Sequence, residues 1–334
     1  MNYKIIYLEP TSPFHFQTGG GDHESVDLYP RSDTLSAAVT YWWFRQYERV
    51  PGFPAKLPFH ISSLFPAIRT KTGIKKLYPK PIGIDIDPDK HNHKVFKKIS
   101  WIDQDLFDLW RDGGNIIDFI PQNSGDKHLK RAGTVWVKDP DQDLGSGQLY
   151  SLDTRTRVVL DRSNSASTPF HFVSIIYASD LLFWFFADID KKQEIPFMAM
   201  LRLLGDEGLG ADRTVGMGHF NVLNEINDIA FANQHIHKWF NVGIYNPSPE
   251  EIAGIQWEQS AYNLENRRGW VSGKSLRRRP VPCITENAVL WSAEPLNGSI
   301  PCLLDKNDPN IPEDSKPDYS VYRDCRGFFI PCTN

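Results

Sequence analysis

Arg213 stands inside a glycine-rich run, Gly205-Asp206-Glu207-Gly208-Leu209-Gly210-Ala211-Asp212-Arg213-Thr214-Val215-Gly216-Met217-Gly218-His219-Phe220. Glycine reaches positive φ without a Cβ clash, so a loop carrying Gly208, Gly210, Gly216 and Gly218 can aim several amide N–H groups at one point. Such concave nests hold anions, phosphate above all. The guanidinium of Arg213 adds a planar fork for a phosphate, or a flat face for a base. A plain flexible connection is the competing reading. Nucleotide-loop motifs fit poorly. Gly208-x-Gly210-x-x-Arg213 lacks the third glycine of a dinucleotide fingerprint, no Gly-Lys-Ser/Thr follows, and a helical pattern rather than a strand precedes the glycines.

A second cluster lies at Arg267-Arg268-Gly269-Trp270-Val271-Ser272-Gly273-Lys274-Ser275-Leu276-Arg277-Arg278-Arg279. Basic groups track a phosphate backbone while Trp270 offers a stacking face, so Arg267, Arg268, Lys274, Arg277, Arg278 and Arg279 read as RNA contacts. A solvated basic hairpin packed on acidic protein is the alternative. The stretches Arg69 to Lys80 and Lys90 to Lys98 are also basic, and serve equally as a solvated face or a nucleic-acid arm.

Catalytic and metal-binding patterns are thin. His91-x-His93 and His235-x-His237 each pair two imidazoles without a third ligand nearby, so no metal site is expected. His15 and His23 are the candidates for general acid–base work on an RNA 2′-hydroxyl. Neither a Ser-His-Asp nor a Cys-His arrangement can be picked out, and no cofactor is expected. Cys283, Cys302, Cys325 and Cys332 form no C-x-x-C pair and read as buried or inert thiols.

The elements that position these groups follow from pattern. Tyr3 to Leu8 reads as a strand. Ser32 is the expected N-cap of a helix carrying Leu35, Ala38, Val39, Trp42 and Trp43 on one face. The segment from about 54 to 147 is loosely patterned and reads as an insertion. Phe170 to Tyr177 and Leu181 to Ala187, joined by Ala178-Ser179-Asp180, read as a hairpin buried on both faces. A helix over Pro196 to Leu204 and a strand from Phe220 to Leu223 flank the glycine loop. The order is β-α-β-β-α-β, the ferredoxin-like pattern. A weaker second copy starts near residue 232, with Ser248-Pro249-Glu250-Glu251 opening its helix. The expectation is an α+β protein of two ferredoxin-like (RRM-like) domains, 1–231 and 232–334, the first with the insertion.

Composition sets the frame. With 334 residues, 40% apolar and 23% charged, the chain is an ordinary globular protein long enough for two cores. A net charge of −4 argues against binding nucleic acid over the whole surface, so any RNA site is a local patch. No membrane-spanning stretch or signal peptide is read, and a cytoplasmic location is expected.

Four segments together resemble the RAMP (repeat-associated mysterious protein) superfamily of CRISPR systems, and within it the fourth subunit of the Csm, or type III-A, effector complex. They are Tyr3 to Pro13 with Ser32-Asp33-Thr34-Leu35, Arg157-Val158-Val159-Leu160-Asp161-Arg162, the glycine loop from Gly205 to Phe220, and Tyr262-Asn263-Leu264-Glu265-Asn266-Arg267-Arg268-Gly269-Trp270-Val271. The ending Val321-Tyr322-Arg323-Asp324-Cys325-Arg326-Gly327-Phe328 also fits. The resemblance implies a non-catalytic subunit that grips the 5′ repeat-derived handle of crRNA. It implies contacts with the large polymerase-like Cas subunit and with the backbone RAMP subunits, and target RNA nearby. A processing endoribonuclease of the same superfamily, using His15 or His23, is the alternative. More than a hundred residues follow the glycine loop here, whereas such enzymes tend to carry it near the C-terminus.

Overall fold

The computed structural model describes all residues except 1, 19–23, 48–52, 54–56, 88, 161–166, 232–236, 272–275, 313–315, 317–318 and 334. Its helices are α1 (Ser32–Gln46), α2 (His93–Lys98), α3 (Gln104–Arg111), α4 (Glu194–Glu207) and α5 (Pro249–Gly254). The first strands are β1 (Asn2–Pro10), β2 (Phe59–Ile61), β3 (Phe65–Thr70), β4 (Gly73–Pro79), β5 (Trp101–Asp103), β6 (Leu129–Lys130) and β7 (Val135–Trp136). Then come β8 (Tyr150–Leu160), β9 (Ser167–Tyr177), β10 (Leu181–Ile189) and β11 (Phe220–Ala230). The remainder holds β12 (Lys238–Asn241), β13 (Leu264–Arg267), β14 (Val281–Ile284), β15 (Val289–Trp291), β16 (Cys302–Leu304), β17 (Val321–Tyr322) and β18 (Phe329–Cys332).

One strand-rich sheet organises this α+β chain, in the order β11-β1-β10-β3-β4-β5-β7-β6, with β2 also paired to β10. Strand side chains alternate between faces; β10 is apolar at nearly every position, and β1 is apolar through its middle, Ile5 to Leu8. Ile6, Leu8, Phe183 and Phe185 therefore point to one face, where α1 and α4 cover them with Leu35, Val39, Phe197, Leu201 and Leu204. Ile5, Tyr7, Trp184 and Phe186 point to the other, which is covered by α3 and by Phe240, Phe328 and Ile330 of the C-terminal part. That part adds a three-stranded sheet in the order β15-β12-β18, plus the pairs β13-β14 and β16-β17.

Three expectations need correcting. β9 does not pair with β10: it pairs with β8 through eleven residues of register, Tyr150 opposite Tyr177 to Leu160 opposite Ser167. The place beside β10 is taken by β2 and β3, so the stretch expected to be an insertion supplies part of the central sheet. Burial on both faces holds for β10, but β9 is buried only from Phe172 to Ile175. Finally, Arg31 occupies the N-cap position of α1 without a side-chain cap, because the Ser32 hydroxyl accepts the Ile244 amide at 2.8 Å and so tethers the C-terminal part to this helix. The helix start expected at Ser248 is present, as a capping box with Glu251 and with Pro249 in the first turn. Among the described residues no helix is long and apolar enough to cross a membrane.

Candidate nucleic-acid interface

α4 ends at Gly208, whose φ of 87° would strain any other residue. The glycine loop then folds back on the segment after β1. Leu209 donates its amide to Gly218 O at 2.9 Å, Gly218 to Pro13 O at 2.9 Å, and Ala211 to His15 O at 3.0 Å. A Cβ on Gly210 would lie 2.5 Å from His15 O, and one on Gly208 2.5 Å from Met217 O. A Cβ on Gly218 would meet the Leu209 backbone, yet one on Gly216 would meet nothing. Close packing thus fixes Gly208, Gly210 and Gly218, and the amides of Gly208, Gly216, Met217 and Gly218 donate within the chain. What the loop offers outward is its tip. Residues 213–216 are exposed, with Arg213 at their head.

The tip adjoins the β8–β9 hairpin. Arg157 pairs with Asp212, and its guanidinium lies 3.9 Å from the centroid of Phe172. His15 stacks on the same ring at 4.5 Å. Its Nδ1 lies 2.7 Å from Val173 O, and since a carbonyl only accepts, Nδ1 carries the proton. His15 is fully buried, so a substrate hydroxyl has no path to it in this arrangement. His23 falls outside the described residues.

The second basic cluster divides. Arg267 is corrected: only 6% exposed, it grips Asp33 with Nε at 3.2 Å and Nη2 at 3.0 Å. Its Nη1 reaches Asp27 at 3.2 Å and Glu265 at 3.1 Å. Arg323 adds a 2.7 Å bond to Asp33, while Arg31 holds Glu286 and Glu265, each at 3.1 Å. Burial alone would raise the Asp33 carboxyl, but Arg267 and Arg323 outweigh it and lower its pKa from 3.8 to about 2. This cluster clamps β13 and the C-terminal segment to α1: Asp33, Arg267 and Arg323 are buried at its centre, while Asp27, Arg31, Glu265 and Glu286 are half-buried around them. Arg268 is exposed. Trp270 is 39% exposed and carries the Arg277 guanidinium 4.8 Å above its ring. Arg278 is half-buried, with its charged form disfavoured by burial and by Arg323. Arg279 is exposed but pairs with Asp308 at 2.7 Å. Lys274 lies outside the described residues.

The remaining candidates are simply placed. His91 bonds the Asp87 carbonyl at 3.1 Å, and His235 is outside the described residues. Among those described, no group of three or more His, Cys, Asp or Glu side chains could hold a metal ion. All four cysteines are free thiols: Cys302 is exposed, the other three buried. Sequence reasoning found Glu265 beside the basic run but missed Asp33 and Asp27 as partners of Arg267, and the Arg157–Phe172–His15 stack. No local signal marks these, because each joins segments far apart in the chain.

No family model and no curated protein matches the sequence. Solved structures do match, over the whole chain. The fold is shared with a chain of the Csm3–Csm4 subcomplex of the type III-A CRISPR-Cas interference complex. The TM-score is 0.61 and the identity 16%, covering 99% of each chain. The Csm1–Csm4 cassette in complex with cA4 gives 0.56 and 16%, over 100% of this chain and 98% of that one. The same cassette with pppApA gives 0.56 and 15%, with the same coverage. The chain therefore has the fold of protein subunits of type III-A CRISPR assemblies.

Proposed function

We propose that the chain is a non-catalytic, crRNA-binding subunit of a type III-A (Csm-type) CRISPR effector. It grips the 5′ repeat-derived handle and bridges the large polymerase-like Cas subunit to the backbone RAMP subunits, with target RNA passing nearby. The observation that carries this reading is the fold likeness running from end to end of both chains. In the same reading β1, α1, β3, β10, α4 and β11 form one ferredoxin-like unit, and β12 to β18 a degenerate second. Two surfaces support RNA contact. One is the glycine-loop tip at Arg213 beside the hairpin, and the other is the exposed group of Arg268, Trp270 and Arg277. Phosphate contacts through the arginines are blind to sequence, so preference for the handle rests on stacking, with Trp270 first. Burial of His15 favours this reading over the processing-enzyme alternative that uses His15 or His23.

The test is a binding series with a handle-bearing guide and a scrambled-handle guide across salt concentrations. Trp270→Ala is expected to cost roughly 1–3 kcal/mol, mainly on the handle-bearing RNA. Arg213→Ala is expected to weaken both RNAs alike and to flatten the salt dependence. Loss of thermal stability with handle preference intact would make Trp270 a packing residue.

A further inference from the structure

Two neighbouring basic stretches, ending at Lys80 and spanning Lys90 to Lys98, converge on one cleft whose lining includes neither Arg213 nor the Arg268, Trp270 and Arg277 group. Lys80, just past β4, forms one wall; His93, Lys94 and Lys97 of α2 form another, and Ile84, Ile86 and Phe96 make the floor. The cleft has a volume of about 430 Å³, within the roughly 300–1,000 Å³ of small-ligand sites. Three lysines and a histidine face a single carboxylate in it, Asp85. Among the described residues Lys80, Lys94 and Lys97 form no ion pair, whereas nearby Lys90 pairs with Asp87 at 3.0 Å. The geometry is held firmly. Asn92 caps α2 by accepting from Lys94 N at 3.1 Å and Val95 N at 3.3 Å, and Val95 is buried. One turn of helix therefore brings Lys94 and Lys97 to the same side.

Lys80 is the telling residue. Half-buried, it donates to Phe96 O at 2.6 Å and sits 3.9 Å above the Phe96 ring. Burial alone lowers its pKa to about 8, with no acidic neighbour restoring it. A desolvated ammonium with no counter-charge is a position at which an incoming anion gains most. Lys80 and Lys97 also line an adjoining cleft of about 760 Å³, whose wall includes Tyr29, Trp101, Asn263 and Asn287; its carboxylates, Asp27, Glu265 and Glu286, are paired with Arg31 or Arg267. Trp101 and Tyr29 meet edge to face at 5.0 Å. Phosphate-seeking charge thus lies next to aromatic faces and side-chain amides, the combination that suits a nucleotide.

We propose that this pair of clefts is a nucleotide subsite, its phosphate held by Lys80, Lys94 and Lys97 and its base directed toward Trp101 and Asn287. The shared chemistry is a nucleoside phosphate, whether free or within a single strand. The site does not depend on the function proposed above.

The full chain would be treated with an amine-acylating reagent near pH 8, alone and with AMP or a short single-stranded oligouridylate. Modification of Lys80 and Lys97 would be read by mass spectrometry, and affinity by equilibrium titration. Protection of both lysines is expected, together with at least a tenfold loss of affinity for the protecting probe in Lys80→Gln/Lys97→Gln. Exposed Lys94→Gln checks the same loss without touching the Lys80–Phe96 contact. AMP protection assigns a free nucleotide, and protection by the oligouridylate alone assigns a strand phosphate. Protection by neither probe overturns the proposal, as does unchanged affinity in all the lysine variants, and an acidic protein surface becomes the occupant to test. Arg213→Ala should leave this protection intact, so failure here and failure of the handle-binding reading are distinguishable.

Discussion

Among single residues, Arg267 holds together the ion-pair cluster through Asp33 and Asp27. In the sequence it opens a run of six basic residues and looks like a phosphate contact, but its carboxylate partner Asp33 lies 234 positions away. A local charge pattern cannot reveal a counter-charge that only tertiary folding delivers. Trp270 and Arg268, by contrast, remain at the surface where their residue types suggested. Removing one member of a buried ion pair strands the other, a loss of ~3–5 kcal/mol. Arg267→Ala should therefore unfold at markedly lower urea while leaving the slope of RNA affinity against salt unchanged; the reverse pattern would return it to the RNA surface. The pH dependence has a definite sign. Asp33 titrates at about 2 in the folded chain against 3.8 unfolded. Its contribution is thus complete above about pH 4 and is lost as pH falls through 2. An acid-unfolding curve of Asp33→Asn should lack that component.

At the scale of elements, β1, α1, α4 and the α5 capping box were legible because each rests on local periodicity or a cap. The partner of β9 was not. An apolar run on either side of Ala178-Ser179-Asp180 looks like a hairpin, yet pairing is decided by which strand fills the edge of β10, and β3 does so from over a hundred residues earlier. The glycine loop was legible as a loop but not in its division of labour. Gly210 is pinned by His15 O at φ 104°, whereas Gly216 at φ 86° has open space around it. Gly216→Ala should cost only the left-handed backbone strain, ~1–2 kcal/mol, and any RNA defect would appear in a folded protein. Gly210→Ala must in addition push the segment after β1 away, so it should cost more stability than Gly216→Ala in a denaturant titration. Equal losses would mean that the loop does not bear on residues 13–16.

At the scale of the molecule, the central sheet is sealed by two covers of different origin. α1 and α4 lie on one face, while Phe240, Phe328 and Ile330 close the other. Phe328 stacks on Phe186 at 5.6 Å and meets Tyr3 at 4.7 Å. Phe328→Ala should cost ~3–5 kcal/mol, measurable by chemical unfolding, with RNA affinity of the remaining folded fraction little changed. A small loss would mean that the C-terminal strands sit loosely on the sheet. The arrangement also has a timetable. A ribosome delivers Tyr7, Trp184 and Phe186 well before Phe328 and Ile330, so until the last residues emerge this side of the sheet has only part of its cover, and apolar side chains stand open. A nascent chain in that state is a natural client for chaperones, and a stall or premature stop before residue 328 leaves an aggregate rather than a smaller working protein.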